Sequence, residues 1–274
     1  MDGSARVAEL RCYPVKGCAG TRLRAGELTP AGLAHDRTFL VVSPEGVFRT
    51  QRRHPQLATV HPGIDAAGSV LTLRAAGREP LVVPVDVTGP RMPVELFGAG
   101  FTGIDQGEDA AEWISDVLGE KSRLVRVPPE HARVTDGETP GTSGYADSSA
   151  VHLTSWESWE ALNGRIVERG DEPVAMARFR PNIVVSGLAA AHAEDRLRRV
   201  AVGGAELGFT KLAVRCAVTT VDQLTGERVG PEPLRTLAGY RRHPDGGVTF
   251  GVKFSVTRPG PVAVGDELRT IETA

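Results

Sequence analysis

Short apolar runs, alternating or β-branched and broken by turn residues, dominate the first hundred positions of the chain. Residues 6–13 form one such run, which stops at Pro14; residues 38–42 (TFLVV) stop at the turn Ser43-Pro44-Glu45-Gly46. Residues 70–74 (VLTLR) alternate, and residues 81–87 are interrupted by Pro84. Runs of this length separated by turn signals predict strands, and a proline within one confines it to a sheet edge or a bulge. Residues 109–118 (DAAEWISDVL) predict a helix stopped by Gly119, with Trp113, Val117 and Leu118 as its buried stripe.

Residues 135–149 (TDGETPGTSGYADSS) are rich in Gly, Ser and Pro and predict a loop. Residues 155–169 (SWESWEALNGRIVER) predict a second helix with Ser155 as N-cap. Strand character returns at 182–185, 199–202, 206–215 and 248–256, and residues 262–271 read as a terminal hairpin around Gly265-Asp266. The pattern is mainly β with a few helices (α+β), of barrel or sandwich type. The two halves part between Gly119 and Ala132.

Composition narrows the function. The chain has 274 residues, with 32 Lys and Arg against 34 Asp and Glu, a net charge of −2. That balance argues against non-specific nucleic-acid binding but permits a local basic pocket. No run of about 18 apolar residues exists, so no membrane span is expected, and the N-terminus lacks the apolar core of a signal peptide. Three cysteines, Cys12, Cys18 and Cys216, make neither a disulfide framework nor a four-cysteine metal site. A reducing, cytoplasmic setting is the expectation.

No dinucleotide-binding glycine loop, phosphate loop, zinc helix or nucleophile elbow is present, and the seven His are scattered. What remains are cations and a thiol in turns. Lys16-Gly17 follows the first strand; a Lys there reaches a phosphate and Gly lets a ligand approach the backbone, or the Lys is simply solvated. Arg37 opens the TFLVV run, either as an anion fork or as an ion-pair partner. Arg180, extended by Pro181 after it, opens a second strand, and two such Arg could form one anion pocket. Cys216 follows Arg215 at a strand end; cationic neighbours favour a reactive thiolate, whereas a buried thiol is inert.

Several segments in order carry a resemblance: YPVKGC (13–18), GLAHDRTFLVV (32–42), TQRRHPQLA (50–58), FRPNIVVSG (179–187), RCAVTTVDQLTGE (215–227), LAGYRR (237–242) and VTFGVKFSV (248–256). Over almost its whole length the chain resembles the MOSC family, in the arrangement found in mitochondrial amidoxime-reducing components and their bacterial relatives. The resemblance implies a MOSC-type β-barrel (120–272) preceded by a smaller N-terminal MOSC β-barrel domain (5–119), with a molybdenum cofactor (molybdenum–molybdopterin) in the cleft between them. Cys216 matches the family's catalytic, metal-ligating cysteine. Lys16, Gly17 and Arg37 match positions contacting the pterin and its phosphate, Ser148 and Ser149 the hydroxyl pair, and Arg180 a further anion contact. Val214 and Arg215 match the residues before the ligand cysteine, and Lys253 falls near another contact. A soft thiolate suits molybdenum, and a phosphate needs Arg, Lys and N–H donors. Ala150 departs from the family by standing where Pro often follows the hydroxyl pair.

The implied activity is reduction of a small N-hydroxylated substrate (amidoxime, hydroxylamine or N-hydroxy base). Two electrons and two protons turn R–NHOH into R–NH2 and water. Larger bacterial members carry a ferredoxin-like domain whose cluster three cysteines cannot build, so an external electron-transfer protein is expected. The alternative is a molybdenum cofactor carrier, or a persulfide sulfur-transfer module using Cys216. Asp222 reads either as a proton relay or as a turn carboxylate.

Overall fold

A computed structural model, describing residues 5–274, consists mainly of β-strands with three α-helices and four short 3-10 turns. The largest sheet orders its strands Thr21–Leu23, Arg6–Cys12, Ile183–Ser186, Val151–Ser155, Val248–Arg258, Ala205–Arg215, Leu197–Val202 and Leu268–Thr273. Only Val151–Ser155 and Ile183–Ser186 pair in parallel. The helix Trp156–Glu168 lies in their connection, because parallel neighbours need a long crossover. The sheet curls, and the start of Arg6–Cys12, next to the edge strand Thr21–Leu23, reaches the segment that leads into the opposite edge strand. Arg6 bridges Glu267, the Val7 N–H donates to Asp266 O at 2.9 Å, and the Leu268 N–H donates to Ala5 O at 2.7 Å. These isolated bonds do not form a continuous ladder, so the sheet remains an open, curled one. Val7, Leu10, Leu153, Ile183, Leu207, Val252 and Phe254 fill the interior.

The first strand, Arg6–Cys12, thus belongs to a sheet otherwise built mostly from the second half of the chain. The exchange runs both ways, since Gly260–Ala263 pairs with Ala25–Thr29. A four-stranded sheet orders Phe39–Val42, Arg123–Arg126, Ala99–Asp105 and Arg91–Leu96, and a three-stranded one orders His61–Ile64, Val70–Arg74 and Leu81–Pro84. Val15, Phe39, Val41, Leu57, Leu71, Ile114 and Leu124 form the core between these sheets and the helix Glu108–Leu118.

Local signals place several elements as expected. Gly119 ends the first helix in the left-handed region (φ 67°), and Ser155 Oγ accepts the Ser158 N–H at 3.1 Å as N-cap. Pro84 sits on an edge strand, where its missing N–H leaves no ladder bond unmade. Other readings change. The first helix buries Ala110, Ala111, Ile114 and Leu118, leaving Trp113 and Val117 half-buried at the margin. The terminal residues do not pair with each other: Gly260–Ala263 and Leu268–Thr273 each join a different sheet, because each finds an open edge there. The Gly/Ser-rich stretch contains a two-residue pairing of Val134–Thr135 with Gly141–Thr142.

Glu194 is completely buried, accepting Ser158 Oγ at 2.6 Å and Ser155 Oγ at 3.1 Å. Burial pushes its carboxyl above the usual range, and the hydroxyl donors offset this only in part. A raised folded pKa gives stability that is full below the unfolded value and is lost as pH rises through the folded one. Glu194→Gln should therefore match the wild type in thermal melting at pH 4 and exceed it at pH 8. Equal melting temperatures at both pH values would show that the buried carboxyl carries no such cost.

Candidate functional site

The site grows from a buried carboxylate. Asp36 Oδ1 accepts the Tyr13 N–H at 2.8 Å and Asn182 Nδ2 at 3.0 Å, while Asp36 Oδ2 accepts Arg37 Nη1 at 2.5 Å. Arg37 also donates to Asn182 Oδ1 at 3.1 Å and to the Arg180 carbonyl at 3.2 Å. Asn182 Oδ1 accepts the His152 N–H at 3.1 Å. Four segments distant in sequence are thereby locked together around one open cleft with about 1000 Å³ of empty space, counted out to solvent.

The cleft is lined by seven Lys and Arg side chains, Lys16, Arg37, Arg49, Arg52, Arg180, Arg215 and Lys253, against one carboxylate, Asp147. Arg37 and Arg180 both stand in the left-handed region, at φ 49° and 55°. Arg180 was expected to be extended before Pro181; instead it caps the 3-10 turn Met176–Phe179. That geometry brings both guanidinium carbons over the Tyr13 ring, at 4.6 and 4.3 Å from its centroid. Gly17 has φ 85°, and a Cβ there would lie 3.2 Å from Leu57 Cδ1. Its carbonyl accepts Gln51 Nε2 at 2.5 Å.

Burial opposes these charges. It lowers the Arg180 guanidinium, the Arg215 guanidinium to about 10 and the Lys253 ammonium to about 8. It also lowers Lys16, although Asp147 pulls the other way through a direct ion pair. Arg37 alone is raised, because Asp36 outweighs the effect of burial. Asp147 keeps 63% of its side chain exposed, and the cations around it hold its carboxyl far below the usual range despite the desolvation that opposes this. His152 is held well below its ordinary value by burial and by Arg215, so it adds no charge.

Three buried guanidinium nitrogens of cleft-lining residues, Arg49 Nε, Arg180 Nη2 and Arg215 Nε, have no hydrogen-bond partner. Such orphaned donors fit an anion with acceptor oxygens. Cys216 is exposed at this cleft, at the end of the strand Ala205–Arg215. Cys12 and Cys18 are buried elsewhere, and burial pushes both thiols up, Cys18 to about 12. Among the described residues no three His, Cys, Asp or Glu side chains converge. The protein therefore offers a single sulfur donor here.

Of the residues singled out in the sequence, Lys16, Gly17, Arg37, Ser149, Arg180, Val214, Arg215, Cys216 and Lys253 line the cleft. Ser148 does not, but its Oγ accepts Lys253 Nζ at 2.6 Å and so steers that ammonium. Asp222 is a turn carboxylate, accepting the Leu224 and Thr225 N–H groups and pairing with Arg178. Sequence reasoning missed Asp147, Gln51, Arg52, His152, Asn182 and Phe97. Asp147 and Gln51 lay within quoted segments, but nothing local marked them as facing a cleft.

Two family models match: the MOSC N-terminal beta barrel domain over residues 4–121 and the MOSC domain over residues 140–269. The chain belongs to the MOSC family. It is 35% identical over 281 residues to mitochondrial amidoxime-reducing component 1 of Mus musculus, covering 95% of this chain and 80% of that protein. The human protein of the same name is 34% identical over 281 residues, 95% of this chain and 81% of that one. Molybdenum cofactor sulfurase of Danio rerio is 31% identical over 270 residues, which cover 92% of this chain and 32% of the sulfurase. Among the described residues of this MOSC chain, no helix is long and apolar enough to cross a membrane.

The Lys253 ammonium should govern how this MOSC cleft holds anions. Its proton leaves as pH rises through about 8, so attraction for an anion falls. Sulfate, whose charge is constant over this range, should bind more weakly at pH 9 than at pH 7 by calorimetric titration. Lys253→Met should flatten that dependence; an unchanged slope would remove Lys253 from the anion site.

Proposed function

We propose that the chain is a molybdenum-cofactor-dependent oxidoreductase that reduces N-hydroxylated compounds such as amidoximes, hydroxylamines and N-hydroxy bases. The supporting observation is one exposed thiol, Cys216, at a cleft whose buried cations have donors to spare. The donor set fits the cofactor's chemistry, a soft sulfur for the metal and a cationic pocket for a phosphate. In this reading Cys216 would hold the metal, and Lys16, Gly17, Arg37, Arg180 and Lys253 would hold the anionic end. Ser148, Ser149, Val214 and Arg215 would border the pterin. The bound cofactor would supply two-electron redox capacity and an acceptor for the oxygen of an N–OH group.

The polypeptide's part is to bind and orient. Arg37 and Arg180 are held in place by their left-handed backbones and by the Tyr13 ring between them. Placing them before a ligand arrives reduces the ordering cost of binding. Electrons would come from a separate redox protein. Three free cysteines suit a reducing compartment such as the cytoplasm.

A second reading keeps the same thiol. The similarity to a protein named molybdenum cofactor sulfurase, together with the exposure of Cys216, also suits a cofactor carrier or a persulfide-transfer module. Elemental analysis and an activity assay separate them: stoichiometric molybdenum with reduction of benzamidoxime supports the reductase, stoichiometric molybdenum without reduction the carrier, and sulfur on Cys216 without metal the transfer module.

Cys216→Ser should abolish reduction of benzamidoxime with an artificial reductant while leaving the melting temperature nearly unchanged, since the thiol is exposed. Reduction at the original rate by that variant would refute the assignment. Arg180→Ala should lower molybdenum occupancy after purification, and undiminished occupancy would take Arg180 out of the cofactor site.

A further inference from the structure

Phe97 and Gly98 form the two-residue turn between the strands Arg91–Leu96 and Ala99–Asp105, and both have positive φ, 55° and 79°. Such turns favour Asn, Asp or Gly, and a Phe there is strained. The ring does not recover this by joining the core, because Phe97 is 48% exposed. It meets Phe48 edge-on, with centroids 4.8 Å apart. Lys16 Nζ lies 5.0 Å from its centroid and Arg52 Cζ 5.9 Å. These contacts hold a strained, half-exposed aromatic ring at the mouth of the cationic cleft.

The ring also has a second side. Phe97 and Asp147 line an adjoining cleft, whose other walls include Leu96, Ala99, Phe101 and Val134. The two clefts share these two residues; the second is of mixed character, since Arg133 and Asp136 also line it and the Arg133 guanidinium carbon stands 5.4 Å from the Phe101 centroid. A small molecule in the first cleft therefore has the exposed Phe97 ring beside it as an apolar face on which the rest of its body can lie.

We propose that Phe97 is a specificity-determining residue, and that its exposed ring takes the flat apolar part of the substrate, an aryl group above all. The N-hydroxylated end enters beside Cys216, and the ring of the substrate packs against the Phe97 ring at the mouth of the cleft. This rests on the reductase reading of the cationic cleft and names its substrate class. Aromatic pairs contribute beyond their buried area, so aryl compounds gain affinity here that small aliphatic ones do not.

The test is equilibrium binding to purified, cofactor-loaded protein, by calorimetry, of benzamidoxime and acetamidoxime, two N-hydroxylated probes that differ in the aryl group. Wild type should bind benzamidoxime more tightly. Phe97→Ala and Phe97→Gly should weaken benzamidoxime about tenfold, equivalent to about 1.4 kcal/mol, while acetamidoxime changes by less than about twofold. Phe97→Trp should retain aryl binding, and Phe97→Gly, which accepts the positive φ without strain, should keep the wild-type melting temperature. Equal effects on both probes, no effect on either, or equal wild-type affinities would overturn the proposal. Aryl binding that depends on Phe97 without any reduction would support the subsite and sink the reductase reading. Reduction of both oximes with binding indifferent to Phe97 would do the reverse.

Discussion

The Asp36 carboxylate accepts hydrogen bonds from the Tyr13 backbone, the Asn182 amide and the Arg37 guanidinium, in a position almost closed to solvent. These donors come from the residue just after the first strand, the residue just before Ile183–Ser186, 146 positions beyond Asp36, and the residue next door. Taking a carboxylate out of water is expensive, and breaking a buried pair by removing one partner typically costs about 3–5 kcal/mol. The arrangement is therefore close to all-or-none. If Asp36 is satisfied, Tyr13, Arg37, Asn182 and through it His152 are all in register, and the cleft has its walls. The interleaved sheets enforce the same outcome, since the first strand cannot leave without opening the eight-stranded sheet at Ile183–Ser186.

Asp36 compensates one cation; the others are left largely to each other. The lowering of Lys16, Arg180, Arg215 and Lys253 by burial is the signature of positive charge held out of water without enough counter-charge. Asp147 makes up part of the deficit from a mostly exposed position at the mouth. A dianion would make up more, and it would also satisfy Arg180 Nη2 and Arg215 Nε. A site tuned only for stability would have spread these cations apart or paired them. Their concentration around one exposed thiol is intelligible as preorganisation for an anionic ligand that also offers a soft metal.

Features governed by neighbouring residues were legible in the sequence. Gly119 and Ser155 announced helix ends through backbone conformation and capping chemistry, and Pro84 announced an edge strand. The strand Val151–Ser155 was missed although its residues VHLTS alternate, because it is only five residues long and runs directly into the helix N-cap at Ser155. The terminal hairpin was misread because adjacency in sequence favoured it, whereas the available sheet edges lay far away along the chain. The site divides in the same way. Lys16, Arg37, Arg180 and Cys216 each looked like an ordinary turn or strand-end residue, and only the ordered resemblance of whole segments drew them together. Asn182 and Gln51 stayed invisible because their value lies in partners more than 140 residues away.

Backbone strain gives an independent indication of where the fold gives up stability. Five residues other than glycine have positive φ among those described: His35, Arg37, Phe97, Arg180 and His192. Three of the five line the same cleft. None of these three is Asn or Asp, the types that adopt this conformation most readily, and each costs on the order of 1–3 kcal/mol. Arg37 and Arg180 are held there by the hydrogen bonds around Asp36 and by the Tyr13 ring, so their strain has a visible support. Phe97 has only the edge of Phe48 and two cations that need an aromatic face less than it needs a core. The strained positions therefore differ in kind: two belong to the cationic lining of the cleft and are held by its hydrogen bonds, and the third is an aromatic ring left half-exposed at its mouth.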